Sequence, residues 1–173
     1  MKSRCLLLWI ILLIAIASSA VAQETHHVKR YVKVPAGYLM VLRQGDDIIK
    51  ELEAFAIHEH VPAASFTGMG FVNIVFGFFD ANAKKFNPKE FRNVELASMN
   101  GTIAWQKDKP SIHTHGVVAG KDFQAYGGHI LSGTVGTGSL EIMVIIHDKS
   151  LERVFEDPLG ANVLRLEEEN QQD

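Results

Sequence analysis

The sequence has a single cysteine among its 173 residues, and that cysteine, Cys5, lies in an apolar run close to the N-terminus. This scarcity excludes a framework of disulfides, on which small exported domains often depend for stability. The fold must therefore be held together by core packing. If the N-terminal segment 1–22, which includes this apolar run, is removed, 151 of the 173 residues remain. That length is enough for one domain with its own core.

Clustered positive charge is also missing. The chain has 17 Lys and Arg against 20 Asp and Glu, a net charge of −3. Removal of residues 1–22, which include Lys2 and Arg4 but no acid, would leave 15 basic and 20 acidic residues, a net charge of −5. A protein that binds nucleic acid through its phosphates normally has a basic stripe, so we expect no nucleic-acid partner. Part of the acidic excess lies in residues 166–173, which predict a solvated tail.

The N-terminus has the three parts of a secretory signal peptide. Lys2 and Arg4 form a basic start, residues 5–16 are apolar, and Ala20-Val-Ala22 is a small-residue cleavage site. We predict that residues 1–22 are removed and that the protein is exported, to the periplasm or outside the cell, without a stable membrane anchor. An uncleaved anchor is the alternative, although it would need nearer to about 20 apolar residues. Residues 23–30 are predicted to be a flexible N-terminus.

The remaining pattern predicts one domain of the α+β class. Residues 27–42 suggest two short strands about a turn at Pro35-Ala-Gly37. Asp47 can cap a helix that ends before Pro62. Apolar residues recur at helical spacing between them: Ile48, Ile49, Leu52, Phe55 and Ala56. Further strands are predicted over residues 63–79, 91–101, 102–106, 111–119, 129–136 and 139–147. Strands this closely spaced predict a mainly antiparallel sheet with one principal helix packed on it.

Three histidines have the spacing of a metal site. If residues 111–119 form a strand, His113 and His115 point to the same face, roughly 6.6 Å apart along the chain. His129 follows a turn and the pair Gly127-Gly128, which allows close backbone approach. Zinc in catalytic sites commonly takes three protein ligands and keeps one position open. We predict that these histidines bind Zn²⁺ or another divalent metal; the alternative is that one or two are core or surface histidines.

Two other histidines have the same spacing without the same geometry. His58 and His60 lie at the end of the predicted helix, where residues i and i+2 do not face each other. We expect them to face solvent. His147 is expected at a strand edge.

Six short motifs occur in one order: Arg43-Gln-Gly-Asp-Asp, Thr67-Gly-Met-Gly70, Glu95-Leu-Ala-Ser-Met-Asn-Gly101, His113-Thr-His115, Gly127-Gly-His129 and Leu140-Glu-Ile142. This order resembles the PPC domain, the plants and prokaryotes conserved domain, over nearly all of residues 31–148. The resemblance implies an antiparallel sheet with a helix against it, assembly as a homotrimer, and a three-histidine metal site as in prokaryotic members. Plant members also carry an AT-hook, an Arg-Gly-Arg-Pro segment that binds the minor groove. The sequence has no such segment, so the DNA-binding role is not implied.

The same fold grouping includes α-acetolactate decarboxylase, which also holds zinc with a His-x-His pair and a later histidine. An enzyme with such a site would also need a group to hold an anionic substrate and a group to move a proton. Arg43, beside the helix start, and Glu141 are the candidate catalytic residues for these two roles. The alternatives are an ion pair of Arg43 with Asp46 or Asp47, and a structural or trimer-interface carboxylate at Glu141.

These observations leave three functions open. The first is an exported, trimeric metal-binding protein that binds a small molecule or a partner. The second is a metal-dependent lyase or hydrolase acting on a small keto or hydroxy-keto acid, and the third, least favoured, is a DNA-binding regulator. We divide the chain into a signal peptide (1–22), a flexible N-terminus (23–30), the PPC domain (31–150) and a C-terminal extension with an acidic tail (151–173).

Overall fold

The computed structural model describes residues 29–166. The predicted signal peptide and nearly all of the predicted acidic tail lie outside these residues. Within the described part, no helix is both long enough and apolar enough to cross a membrane. The elements in chain order are β1 (Tyr31–Val34), β2 (Gly37–Arg43), α1 (Ile48–His58), β3 (Ala63–Asp80), β4 (Lys85–Gln106), β5 (Lys109–Ala119), β6 (Ala125–His147), β7 (Glu152–Glu156) and β8 (Ala161–Arg165).

The strands form one mainly antiparallel sheet of eight strands. Its order is β1-β2-β6-β3-β4-β7-β8, and β5 pairs with both β4 and β6. The pairings β3–β4, β4–β5, β5–β6 and β6–β3 therefore form a closed circuit. The single parallel contact joins β4 to β7 through Trp105 and Glu152. The predicted fold class, a mainly antiparallel sheet with one principal helix, is confirmed.

Helix α1 forms where the spacing of apolar residues predicted it. The side chain of Asp47 accepts a hydrogen bond of 3.1 Å from the backbone N–H of Lys50, which satisfies a donor that the first turn leaves free. Four side chains of the helix are buried against the sheet: Ile48, Leu52, Phe55 and Ala56. Residues from β2, β3, β4, β5 and β6 complete this core.

Several strands are longer than predicted. The segments 91–101 and 102–106 belong to one strand, β4, and the segments 129–136 and 139–147 belong to β6. Glycine predicts a strand end here, yet Gly101 lies inside β4. A Cβ at this position would come within 2.3 Å of the Phe66 ring, so the close packing requires glycine. The predicted break near Gly68 and Gly70 is a shift of register inside β3, as expected for a β-bulge.

The C-terminal segment adds a hairpin to the sheet. Strands β7 and β8, which belong to the segment predicted as an extension, pair with each other from Glu152–Arg165 to Glu156–Ala161. The backbone N–H of Trp105 donates a hydrogen bond of 2.8 Å to the carbonyl of Leu151, which fastens the hairpin beside β4. This hairpin brings to the site the side chain of Arg153, a residue that the sequence motifs did not include.

Candidate metal centre

Strand β5 presents His113 and His115 on the same face. Thr114, between them, points into the protein, where it is buried and its hydroxyl donates a hydrogen bond of 3.0 Å to the backbone carbonyl of Asn100. This bond holds the middle of β5 against β4. Since side chains alternate along a strand, the inward position of Thr114 directs both imidazoles outward.

Strand β6 supplies the third imidazole from the neighbouring position. His129 is the direct partner of His115, and Gly127 and Gly128 are the partners of Val117 and Gly116. A Cβ at Gly127 would lie 2.8 Å from the carbonyl oxygen of Gly116, so a side chain there would force the two strands apart. Glycine at this position is therefore required for the close pairing that brings His129 beside His115.

The three rings form a compact cluster. The centroid distances are 5.2 Å for His113 and His115, 5.2 Å for His113 and His129, and 5.1 Å for His115 and His129. Each ring offers one nitrogen, and these nitrogens all lie within 4.8 Å of one another. Two nitrogens that share an ion at 2.0–2.1 Å are at most about 4.2 Å apart. In a tetrahedral site the nitrogens are closer still, about 3.4 Å apart, so the rings would have to move together to bind one ion. Three converging imidazoles are nevertheless a donor set that fits the predicted metal.

The cluster favours neutral imidazoles. Burial, followed by the nearby His113, His115 and Arg153, lowers the pKa of His129 to about 4. Burial, followed by the charge of Arg153, also lowers the pKa of His113. Neutral imidazole is the form that binds a metal, so at neutral pH no proton has to leave these two rings first.

A cavity of about 860 Å³ lies against the cluster. Its walls are the histidine strands, the tip of the β3–β4 hairpin and the terminal β7–β8 hairpin. The Lys84 side chain donates a hydrogen bond of 2.9 Å to the carbonyl of Asp157, which joins the two hairpin turns. The ring of Phe86 stacks on His129, with centroids 4.7 Å apart. The cavity therefore has one imidazole wall and two walls formed by hairpins.

Arg153 is the functional candidate that the sequence reasoning missed. It lies on β7, lines the cavity with the histidines and is only 6% exposed. Its Nη2 donates a hydrogen bond to the hydroxyl of Thr102, which is the strand partner of His113. The only signal in the sequence that could have indicated Arg153 was the β pattern of residues 152–156, in which this charged residue occupies a buried position.

The structure does not bring Arg43 and Glu141 to the cluster. Glu141 lies between Val41 and Met69 in the sheet, twelve positions along β6 from His129, or roughly 40 Å along the strand. Arg43 pairs with Ser139, close to Glu141 instead. Its backbone N–H donates to Asp46 at 2.7 Å, whereas the carboxylate of Asp46 forms its ion pair with Arg30. Neither residue lines the cavity.

The other three histidines of the described residues lie elsewhere. His58 and His60 are exposed at the end of α1, as expected, and His58 also contacts the carboxylate of Glu59 at 3.0 Å. His147 is the last residue of β6, paired with Ala63. Among residues 29–166, the three clustered histidines are the one group of this kind whose ligand atoms converge.

Residues 29–148 match the Plants and Prokaryotes Conserved (PCC) domain, and the chain belongs to this family, as its motifs predicted. No curated protein matches the chain. A candidate DNA-binding protein from Ralstonia eutropha JMP134 is 52% identical, with a TM-score of 0.77 over 80% of this chain and 96% of that one. The metal-containing protein AF0104 from Archaeoglobus fulgidus is 29% identical, with a TM-score of 0.68 over 74% and 91%.

The fold also extends beyond this family. A Staphylococcus aureus protein of unknown function, described as similar to α-acetolactate decarboxylase, has a TM-score of 0.50 at 13% identity, over 69% of this chain and 56% of that one. This likeness supports the predicted fold grouping. At this identity it concerns the fold alone.

Proposed function

We propose that the protein binds one divalent metal ion, with zinc as the favoured ion, through His113, His115 and His129, and that it binds a small molecule beside that ion. The observation that carries the proposal is the convergence of three imidazole nitrogens on the wall of a cavity. Three protein ligands are typical of zinc sites that keep a position for a ligand. The description of the Archaeoglobus relative as metal-containing supports the same function.

A bound zinc ion would supply Lewis acidity and a fixed positive charge. The protein's own contribution is to hold the rings at the end of the β5–β6 pairing and to shape the cavity. Phe86 restrains the ring of His129 by stacking on it. Thr114 restrains the strand that carries the other two rings.

We further propose that the exported chain assembles as a homotrimer. Support for assembly comes from large apolar side chains at the surface outside the cavity, among them Met69 and Ile145, which are 61% and 48% exposed. Such residues commonly become buried between subunits. Threefold symmetry is what the family resemblance implies, and export rests on the sequence pattern of residues 1–22.

The metal-dependent lyase or hydrolase remains the alternative, with weaker support. Such an enzyme needs an acid or base close to the reacting atoms. No Asp or Glu is among the described residues that line the cavity. A second copy of the chain would have to supply one.

DNA binding is the third candidate because the Ralstonia relative carries that description. The net charge of −3 opposes it, since affinity for DNA depends on neutralising phosphates. We expect no mobility shift of duplex DNA at physiological salt, and a shift at micromolar protein would favour the regulator.

The proposed function is tested with cobalt, which replaces zinc and absorbs visible light. The purified protein is stripped with a chelator and titrated with Co²⁺. One equivalent should produce an intense four-coordinate spectrum, which zinc then abolishes. A stoichiometry far below one, or a spectrum unchanged by His113→Ala, would contradict the proposed site.

A further inference from the structure

Among the described residues that line it, the cavity beside the cluster has positive charge and no matching negative charge. The ionisable residues among its described lining are His113, His115, His129 and Arg153. Neutral imidazoles do not offset the two charges of a divalent ion, and Arg153 adds a third. Partly buried charges of one sign are costly unless an opposite charge joins them. The site therefore needs an anion that the described part of the chain does not supply.

Arg153 has the hydrogen-bonding capacity to hold that anion. Its Nη2 is used by Thr102, but its buried Nε has no hydrogen-bond partner. No carboxylate of residues 29–166 lies within ion-pair distance of its guanidinium. A buried donor without a partner is costly, and a guanidinium fork matches a carboxylate closely. On the wall of a cavity, and with no carboxylate partner among the described residues, the Arg153 guanidinium is thus suited to bind an oxyanion.

The other walls of the cavity are apolar. Phe78 and Phe155, from the two hairpins, are 78% and 59% exposed although they line it. A volume of about 860 Å³ exceeds what a bare inorganic anion fills and falls within the range of pockets for organic ligands. Apolar walls on two sides favour a ligand with an apolar body over phosphate.

We propose that the cavity binds a small carboxylic acid with an apolar or aromatic body, that Arg153 holds its carboxylate beside the three histidines, and that the phenylalanines of the two hairpins contact its body. The proposal rests on the proposed metal function for part of the charge argument. The unpaired guanidinium of Arg153 supports it independently. It assigns to Arg153 the anchoring role that the sequence suggested for Arg43.

Isothermal titration calorimetry on zinc-loaded and metal-free protein tests this inference. The probes are 3-phenylpropionate, its neutral amide and inorganic phosphate. We expect the carboxylate to bind at least roughly tenfold more tightly than the amide, because a charged hydrogen bond is lost. Phosphate should bind more weakly than the carboxylate. Equal binding of carboxylate and amide, or tighter binding of phosphate, would overturn the proposal.

The residue is tested by Arg153→Met, with Arg92→Met as the matched control, because Arg92 is exposed on β4 and pairs with Glu90. Arg153→Met should weaken carboxylate binding roughly tenfold or more with zinc content unchanged. If that variant does not fold, Arg153→Lys retains the charge and loses the fork, and should still show weakened binding. Unchanged affinity in a folded Arg153 variant would overturn the assignment.

The design separates the two proposals. If the protein takes up zinc but binds no added carboxylate, the proposed metal function is retained and this inference is overturned. Such a result would be obtained if a carboxylate of a second copy of the chain already occupied the site. A protein that takes up no zinc but binds the carboxylate through Arg153 retains this inference and overturns the metal site.

Discussion

His115 and His129 are directly paired across strands β5 and β6, and their ring centroids lie 5.1 Å apart. The metal centre therefore depends on the register of one antiparallel pair. A slip of one residue would move His129 to the opposite face, because side chains alternate along a strand. His113 lies on the same strand as His115, two residues before it, so the alternation of side chains along β5 is enough to place it on the same face. The strand pairing is thus as important to the site as the identity of its ligands.

Replacement of His115 by Ala should remove most of the bound metal. His115 contacts both other rings, and two imidazoles rarely hold zinc tightly, so we expect zinc affinity to fall by about a hundredfold or more. Zinc content is measured by mass spectrometry after dialysis against a weak chelator. His60→Ala, at an exposed position after α1, is the control and should retain its metal. Equal zinc content in the two variants would refute the site.

Two adjacent glycines should respond differently to alanine. A Cβ at Gly127 would lie 2.8 Å from the carbonyl oxygen of Gly116, whereas the nearest atom to a Cβ at Gly128 is 3.4 Å away. Gly127→Ala should lower the free energy of unfolding by about 1–3 kcal/mol and weaken zinc binding, because two backbones must separate. Gly128→Ala should change both much less. Urea denaturation and zinc titration of both variants check this, and the reverse order would contradict it.

A cluster at the end of α1 predicts a dependence of stability on pH. The hydroxyls of Tyr31 and Tyr38 donate to the two oxygens of Glu59 at 2.9 and 2.6 Å. Burial, followed by the hydrogen bond to Glu59, raises the pKa of Tyr31 to about 12. The hydrogen bonds from Tyr38 and Tyr31 lower the pKa of Glu59. Because the pKa of Tyr31 is raised, Tyr31 contributes stability below about pH 10, and this contribution is lost as the pH rises towards 12. Because the pKa of Glu59 is lowered, Glu59 contributes stability above about pH 4.5, and that contribution is lost in acid.

Tyr38→Phe should expose the acid side of this dependence. Loss of a hydrogen bond to a charged group should cost about 1–2 kcal/mol of unfolding free energy at pH 7 and less in acid, once Glu59 is protonated. Urea denaturation at pH 7 and in acid measures the difference. Tyr126→Phe is the control, since that hydroxyl bonds to the neutral Gln124. An equal cost of Tyr38→Phe at the two pH values would contradict the role of Glu59.

Light scattering of the purified protein should give three times the mass of one chain. Large apolar side chains exposed on the single chain outside the cavity, including Met69 and Ile145, favour assembly, and threefold symmetry is what the family resemblance implies. Assembly would remove them from water. A monomer at micromolar concentration would contradict the trimer, and with it the proposal that a second copy could supply a carboxylate to the cavity.

Arg43→Ala should leave both zinc content and carboxylate binding unchanged, because Arg43 pairs with Ser139 far along β6 from His129. Glu141→Gln should behave in the same way. Calorimetry with 3-phenylpropionate compares both variants with Arg153→Met. If Arg43→Ala alone weakens binding, Arg43 reaches the cavity of another copy, and the catalytic alternative gains support.

Local physics accounts for what the sequence determined by itself. The alternation of side chains along the strand predicted over residues 111–119 placed His113 and His115 on one face. The helical spacing of apolar residues after Asp47 predicted α1. The turn and the Gly127-Gly128 pair indicated His129 as the third ligand, and the order of short motifs identified the family. Each of these depends on residues close together in the chain, or on a resemblance carried by motifs.

The tertiary structure decided how long the strands are and which charged residues lie beside the histidines. Glycines read as strand ends lie inside β4 and β6, because ring and backbone atoms of neighbouring strands occupy the space of their missing side chains. Arg153 reaches the site through a hairpin joined to β4 at one parallel pair, and Arg43 and Glu141 are kept away by the length of β6. Such placements depend on pairing between distant segments, which no local period records.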